Sequence, residues 1–174
     1  MPDVIRLSMT RFDLPKLIDA MHIERGVEIG VGHGYFSHHL LSNSKLKQLW
    51  SVDPYESNPP VGKDATSLLS EHGERSRFLK CRSIQARSAA ADEGVTFGFV
   101  YVDGGHKEGD VTCDINAWHE RLERPGLLCG HDYVGGRSSG VIPAVHRFAD
   151  KMKMPIYLTR EPRLASWILI FGAE

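Results

Sequence analysis

Between Val27 and Phe36 the chain reads Val-Glu-Ile-Gly-Val-Gly-His-Gly-Tyr-Phe: a short apolar stretch, three glycines at alternate positions, then an amphipathic segment. That order of strand, glycine turn and helix predicts a loop at the carboxyl end of a sheet, where a ligand lies against bare backbone. A strand passing straight into a helix is also the repeating unit of an open parallel sheet.

The rest of the chain repeats the alternation. Leu14, Leu17, Ile18 and Met21 recur at helical spacing after Asp13, an N-cap residue type, which predicts a short helix over about 13–21. Strands are expected at 27–31, 49–52, 77–80, 97–102, 127–130, 156–158 and 166–171. Helices are expected at 35–42, 63–72, 84–91, 109–122 and along Val141, Val145, Phe148 and Met152. Residues 54–62 are turn-rich and read as a loop, and Pro125-Gly126 ends the region before strand 127–130. Phe97 to Val102 is apolar almost throughout, as a strand covered on both faces should be. Elements alternating at ~20 to 30 residues predict a single α/β domain over 1–174, built on a mostly parallel, doubly wound sheet with helices on both faces. No helical pattern separates the last two strands, so one is expected to close the sheet antiparallel.

Composition narrows the function classes. Over 174 residues the chain is 41% hydrophobic and 25% charged with a net charge of -1, an ordinary globular balance. A pI near 6.8 leaves no basic footprint for nucleic acid or an anionic membrane surface. Cys81, Cys113 and Cys129 are an odd set without a CxxC pair, which fits reduced, buried thiols rather than a disulfide framework or a zinc site. The opening Met1-Pro2-Asp3-Val4 lacks a basic and apolar leader, and no apolar run approaches ~18 residues, so a cytoplasmic protein is expected.

The glycine spacing discriminates between ligands. A dinucleotide fingerprint needs GxGxxG, and here the third place, counted from Gly30, is Tyr35. Glu28, inside the apolar strand and two residues before the turn, would repel a pyrophosphate but suits a positively charged ligand. Asp53 ends the next strand ~20 residues past the glycines, where an acid accepts hydrogen bonds from a ribose diol. Either acid also reads as a loop-end cap or a surface ion pair. Glu28-x-Gly30-x-Gly32-x-Gly34 followed by Asp53 resembles the first two motifs of the class I S-adenosylmethionine-dependent methyltransferases. The resemblance spans nearly the whole chain, because the element order also matches that family's Rossmann-like seven-stranded sheet. It implies that Glu28, Gly30, Gly32 and Gly34 sit beside the methionine part of S-adenosyl-L-methionine and that Asp53 holds its ribose. It also places Ser83, after Cys81-Arg82, against the adenine; capping of the helix near Ile84 is an equal reading of that serine.

A second constellation follows the fourth and fifth strands, at Asp103-Gly104-Gly105-His106 and Gly130-His131-Asp132-Tyr133. Neighbouring ends of a parallel sheet would bring Asp103, His106, His131 and Asp132 together. Two carboxylates and a histidine can ligate a divalent cation, with oxygen ligands favouring magnesium, calcium or manganese. Such a cation lowers the pKa of a substrate hydroxyl whose proton a histidine then removes. The arrangement resembles the metal-assisted small-molecule O-methyltransferases that act on macrolide and aminocoumarin sugars. By that resemblance Asp103 and Asp132 are ligands to Mg2+ or another divalent cation, Asp103 also touches the cofactor, and His106 is the base. His131 is a ligand or an orienting group, and it departs from the family, which has a carboxylate there. Structural alternatives stand beside these roles: His106 as a helix cap, His131 as a buried hydrogen-bonded residue.

The expected activity is therefore O-methylation of a small-molecule hydroxyl, on a sugar or another natural product. A nicotinamide-dependent reductase and a non-catalytic cofactor-binding module are the alternatives. The loops 55–62 and 133–140 are expected to form the rim that selects substrate, with Arg137 as a solvated arginine or an anion contact. The remaining histidines, His33 included, read as solvated-face residues. With one helix before the first strand, the site is expected to be open or to need a second copy, as a homo-oligomer.

Overall fold

A computed structural model of the chain describes residues 1–56, 58–135 and 140–172; Arg137, and with it much of the second rim loop, lies outside them. The described residues form one eight-stranded sheet with strand order β1-β7-β8-β6-β5-β2-β3-β4. In chain order the strands are β1 (Val4–Arg6), β2 (Arg25–Ile29), β3 (Gln48–Val52), β4 (Ser76–Leu79), β5 (Phe97–Val102), β6 (Leu122–Tyr133), β7 (Ile156–Leu158) and β8 (Ala165–Phe171). The helices are α1 (Leu14–Ala20), α2 (Tyr35–Asn43), α3 (Pro59–Ser70), α4 (Ser83–Asp92), α5 (Glu108–His119) and α6 (Val141–Met152). All pairings are parallel except those of β8, which runs antiparallel to both β6 and β7.

The doubly wound α/β fold expected from the alternation is present, with one antiparallel strand. Three details differ. The sheet has eight strands rather than seven, because Val4–Arg6 pairs along β7 at the edge. Its side chains are exposed, so no buried stripe marks it in the sequence. The strand expected at 127–130 runs from Leu122 to Tyr133, carrying Pro125 within it at an exposed position where a missing donor is tolerated, with Gly126 buried beside it. The loop read over 54–62 ends early, since Pro59 and Pro60 occupy the first turn of α3, where proline's fixed φ suits a helix start.

Period-two alternation sorts the sheet's side chains between two apolar layers. Val27, Ile29, Val100 and Val102 pack with Ala86, Val111, Ile115 and Phe148 from α4, α5 and α6. Phe99 and Tyr101 pack with Leu14, Ile18, Phe36, Leu40 and Ala65 from α1, α2 and α3. Every residue of β5 is buried, as its unbroken apolar run requires. From β2 the chain steps outward to β3 and β4, then returns to place β5 on β2's other side. The crevice for a ligand in such a sheet opens at that reversal, beyond the carboxyl ends of β2 and β5.

Candidate active site

A cleft of about 570 Å³ opens at that point, lined by Glu28, Gly30, Gly32, Asp53, Ser83 and Asp103 among others. These are the residues expected to hold a cofactor, together with Gly34, which starts α2 just behind them. The glycine turn is shaped by backbone geometry rather than by sequence convention. Gly30 has φ +86, and a Cβ there would lie 2.1 Å from the Asp103 carbonyl oxygen. Only glycine lets the first loop pass so close to the loop after β5. Gly32 also has a positive φ and has nothing within 4 Å of its Cβ position, so its backbone faces the opening.

Asp53 braces this turn. Its Oδ2 accepts the N–H groups of Val31 at 3.0 Å and Gly32 at 3.2 Å, and its Oδ1 accepts that of Tyr55 at 2.9 Å. Three backbone donors occupy the carboxylate, two on Oδ2 and one on Oδ1, so Oδ1 keeps acceptor capacity for a ligand hydroxyl. Tyr55, expected on the rim, is buried instead; it stacks on Phe78 and donates its hydroxyl to the Gly32 carbonyl at 2.6 Å.

Glu28 is 1% exposed and points to the α2 side of the sheet, where it accepts a hydrogen bond from Ser37 Oγ. Ser51 completes the cluster, its Oγ 2.8 Å from that of Ser37. Burial in an apolar layer raises the Glu28 pKa to about 8, against the lowering effect of the Ser37 bond. Ser83 occupies the first turn of α4 but does not cap it: its Oγ donates to Asp114 Oδ1 at 2.5 Å and accepts from Trp118 Nε1 at 2.9 Å. The serine is therefore anchored to α5. Asp114 itself lines the cleft, and its carboxyl pKa is raised by desolvation.

The second constellation assembles as expected, with one pairing the sequence did not reveal. His106 Nε2 lies 2.5 Å from Asp132 Oδ2. His131 Nδ1 lies 3.4 Å from Asp132 Oδ1 and 3.7 Å from Asp103 Oδ1. Asp132 has φ +55, at a register break between Gly130 and Tyr133 in the β6–β8 ladder. A bulge of this kind re-aims a side chain, and aspartate tolerates the left-handed conformation better than most residues. The His106 carbonyl accepts the Gly140 N–H at 2.8 Å, tying this loop to the start of α6. Burial raises the Asp103 pKa to about 6, opposed by the neighbouring His131; hydrogen bonding to His131 holds Asp132 low.

One atom each from Asp103, His131 and Asp132 lies within 4.8 Å of the others. That spacing and the donor set, two carboxylates and an imidazole, fit a divalent cation.

The cleft also contains residues that the sequence did not bring forward. Asp114 interrupts the apolar stripe of Val111, Ile115 and Trp118 on α5, and an acid on a buried face was the available signal. Ser37 lies beside Phe36 and Leu40 on the buried face of α2, a similar clue. Arg11, from a 3-10 turn before α1, reaches the cleft with no motif to announce it. His33, read as a solvated residue, stacks on Tyr35 at 5.6 Å on the cleft wall.

Comparison with known proteins supplies a family. The model of a family described as "Methyltransferase domain" matches residues 27–133, from the glycine turn to the end of β6. No curated protein sequence matches the chain. Among solved structures, the chain is similar to the O-methyltransferase TomG of Streptomyces achromogenes, involved in tomaymycin synthesis and solved with S-adenosylmethionine. Identity is 14%, coverage 94% of this chain and 79% of that one, and the TM-score 0.70. It is similar to CalS11, a TDP-rhamnose 3'-O-methyltransferase of calicheamicin biosynthesis, at 13% identity, covering 92% of this chain and 77% of that one with a TM-score of 0.74. It is also similar to a candidate rRNA-methylase from Clostridium thermocellum at 13% identity, covering 97% and 99% of the two chains with a TM-score of 0.70. At such identities the structures share a fold; the family match, extending over more than half of the sequence, adds membership, and the chain belongs to the methyltransferase-domain family.

Proposed function

We propose that the protein is an S-adenosylmethionine-dependent O-methyltransferase acting on a hydroxyl of a small molecule, a sugar or another natural product, with no nucleic-acid partner. The observation that carries this reading is the junction of two sites: an acid-lined glycine cleft that meets a histidine–carboxylate pair at Asp103. TomG, solved with S-adenosylmethionine, and CalS11, which bears the name of a sugar methylase, support the cofactor and the substrate class.

When bound, S-adenosylmethionine supplies an electrophilic methyl group on a sulfonium centre. The glycine turn presents backbone to it, Asp53 keeps the turn in shape, and Asp103 sets a negative field suited to a cationic ligand, while Glu28 stands by as a buried carboxyl group. Ser83 and Asp114 form the polar end of the cleft, where the adenine is proposed to lie. His106 Nε2–H donates to Asp132 Oδ2, which leaves Nδ1 as the lone pair that takes the acceptor's proton. A divalent cation at Asp103, His131 and Asp132 would polarise that hydroxyl and lower its pKa. Holding donor and acceptor in line supplies much of the remaining acceleration.

The test is transfer from labelled donor to a panel of sugar and polyketide hydroxyls, repeated with His106→Ala. The variant is expected to lose roughly 10²- to 10⁴-fold in turnover while keeping its affinity for S-adenosylhomocysteine. Full activity in His106→Ala would remove the histidine from the mechanism. Full activity in excess chelator would remove the cation.

A further inference from the structure

Arg11 differs from every other charged group in the cleft. Its backbone N–H donates to Glu161 Oε1 at 2.7 Å, which pins the residue to the turn before β8. Its guanidinium carbon lies 5.1 Å from the ring centroid of Phe12 and 5.2 Å from that of Phe36. Among the described residues the guanidinium has no hydrogen bond and no ion pair. The other arginine of the cleft, Arg82, is engaged by Glu56 through bonds of 3.0 and 2.9 Å. The cleft thus holds the carboxyl groups of Glu28, Asp53, Asp103 and Asp114 and one uncommitted guanidinium.

Two aromatic faces hold that guanidinium in place without satisfying its donors, which remain free for a ligand. The fork of N–H groups matches the two oxygens of a carboxylate. Position decides which part of a ligand it meets. Phe36 follows the glycine turn in the first turn of α2, so Arg11 lies at the Glu28 and Asp103 end of the cleft, away from Ser83 and Asp114. An amino-acid chain carries a cation and an anion at one end, and here acids and a guanidinium stand together at one end.

We propose that Arg11 is the carboxylate-binding residue of the cofactor site, gripping the carboxylate of the donor's amino-acid chain; this rests on the cofactor reading above. The N-terminal segment then belongs to the site, as the strap that places this charge.

The test compares two probes by calorimetry: S-adenosylhomocysteine and its decarboxylated analogue, in which a propylamine chain replaces the amino-acid chain. Wild-type protein is expected to prefer the carboxylate-bearing probe by roughly 10- to 100-fold, the usual worth of a charge-assisted hydrogen-bonded pair. In Arg11→Gln the preference should collapse toward unity, through weaker binding of S-adenosylhomocysteine alone. The ratio is insensitive to a fraction of misfolded protein, so it remains readable if the variant is less stable. An unchanged ratio, or equal losses for both probes, would overturn the assignment while leaving the cofactor reading intact, and would direct attention to an anionic acceptor or a structural arginine. If wild-type protein binds neither probe, the cofactor reading itself fails, and the assignment with it.

Discussion

Glu28 is a carboxyl group in an apolar layer with one hydroxyl for company, and its protonation is coupled to folding. Its pKa is raised to about 8 in the folded chain from the ordinary value of 4.5, so the folded state binds the proton more tightly. Stability from this residue is complete below the unfolded pKa and is lost as pH rises through about 8. Glu28→Gln, which keeps the shape and removes the charge, should therefore raise the melting temperature near pH 8.5 and flatten its decline between pH 5 and 8. The difference should be on the order of a few kcal/mol at the alkaline end. A parallel decline in both proteins would mean another group carries it. At Asp132 the expectation concerns chemistry. Asp132→Asn removes the charge that orients His106, and turnover should fall at least ~10-fold, with S-adenosylhomocysteine affinity within about twofold. Legibility at this scale followed chemistry. An acid inside an apolar strand, or after one, can be seen in a sequence; its partners cannot. The Ser37 bond to Glu28 closes across the glycine turn and the His106–Asp132 pair joins two separate loops, and no local pattern encodes either, nor the guanidinium of Arg11, unpaired among the described residues.

Among the elements, the two loops that meet at Gly30 determine whether the cleft exists. A methyl group on Gly30 would collide with the Asp103 carbonyl at 2.1 Å, in a conformation that side chains seldom adopt. Gly30→Ala should push the loops after β2 and β5 apart, costing about 1–3 kcal/mol of stability. Binding of S-adenosylhomocysteine should weaken at least ~10-fold with it, and calorimetry with thermal melts reports both; a variant that binds normally would show that the contact is not needed. Most elements were readable because burial imposes a period. The 3.6-residue stripe of α6 and the unbroken apolar run of β5 leave little choice. Elements formed by pairing alone were not readable. Strand β1 has three exposed residues and exists because β7 offers an open edge. Strand β6 extends through Pro125 and Gly126, a pair that reads as a break. The first turn of α3 begins on two prolines that resemble loop residues until their position at a helix start is known.

For the molecule as a whole, topology and charge carry the functional reading. The order of strands places the reversal between β2 and β5, and the proposed groups lie at or just beyond the carboxyl ends of β2, β3, β5 and β6, on α4 and α5, or on the segment before α1. The likeness to a candidate rRNA-methylase is one of fold, and a net charge of -1 supplies no overall attraction to a phosphate backbone, in keeping with the small-molecule acceptor proposed. Gel-shift assays with structured RNA at low salt should show no complex; tight, salt-sensitive binding would replace the small-molecule acceptor with a nucleic acid. No helix among the described residues is long and apolar enough to cross a membrane. The most direct measurement is isothermal calorimetry of the wild-type protein with S-adenosylhomocysteine. Saturable one-to-one binding, weakened in Gly30→Ala, is expected, and the absence of any binding heat across a range of temperatures, with folded protein confirmed, would contradict the assignment of the cleft.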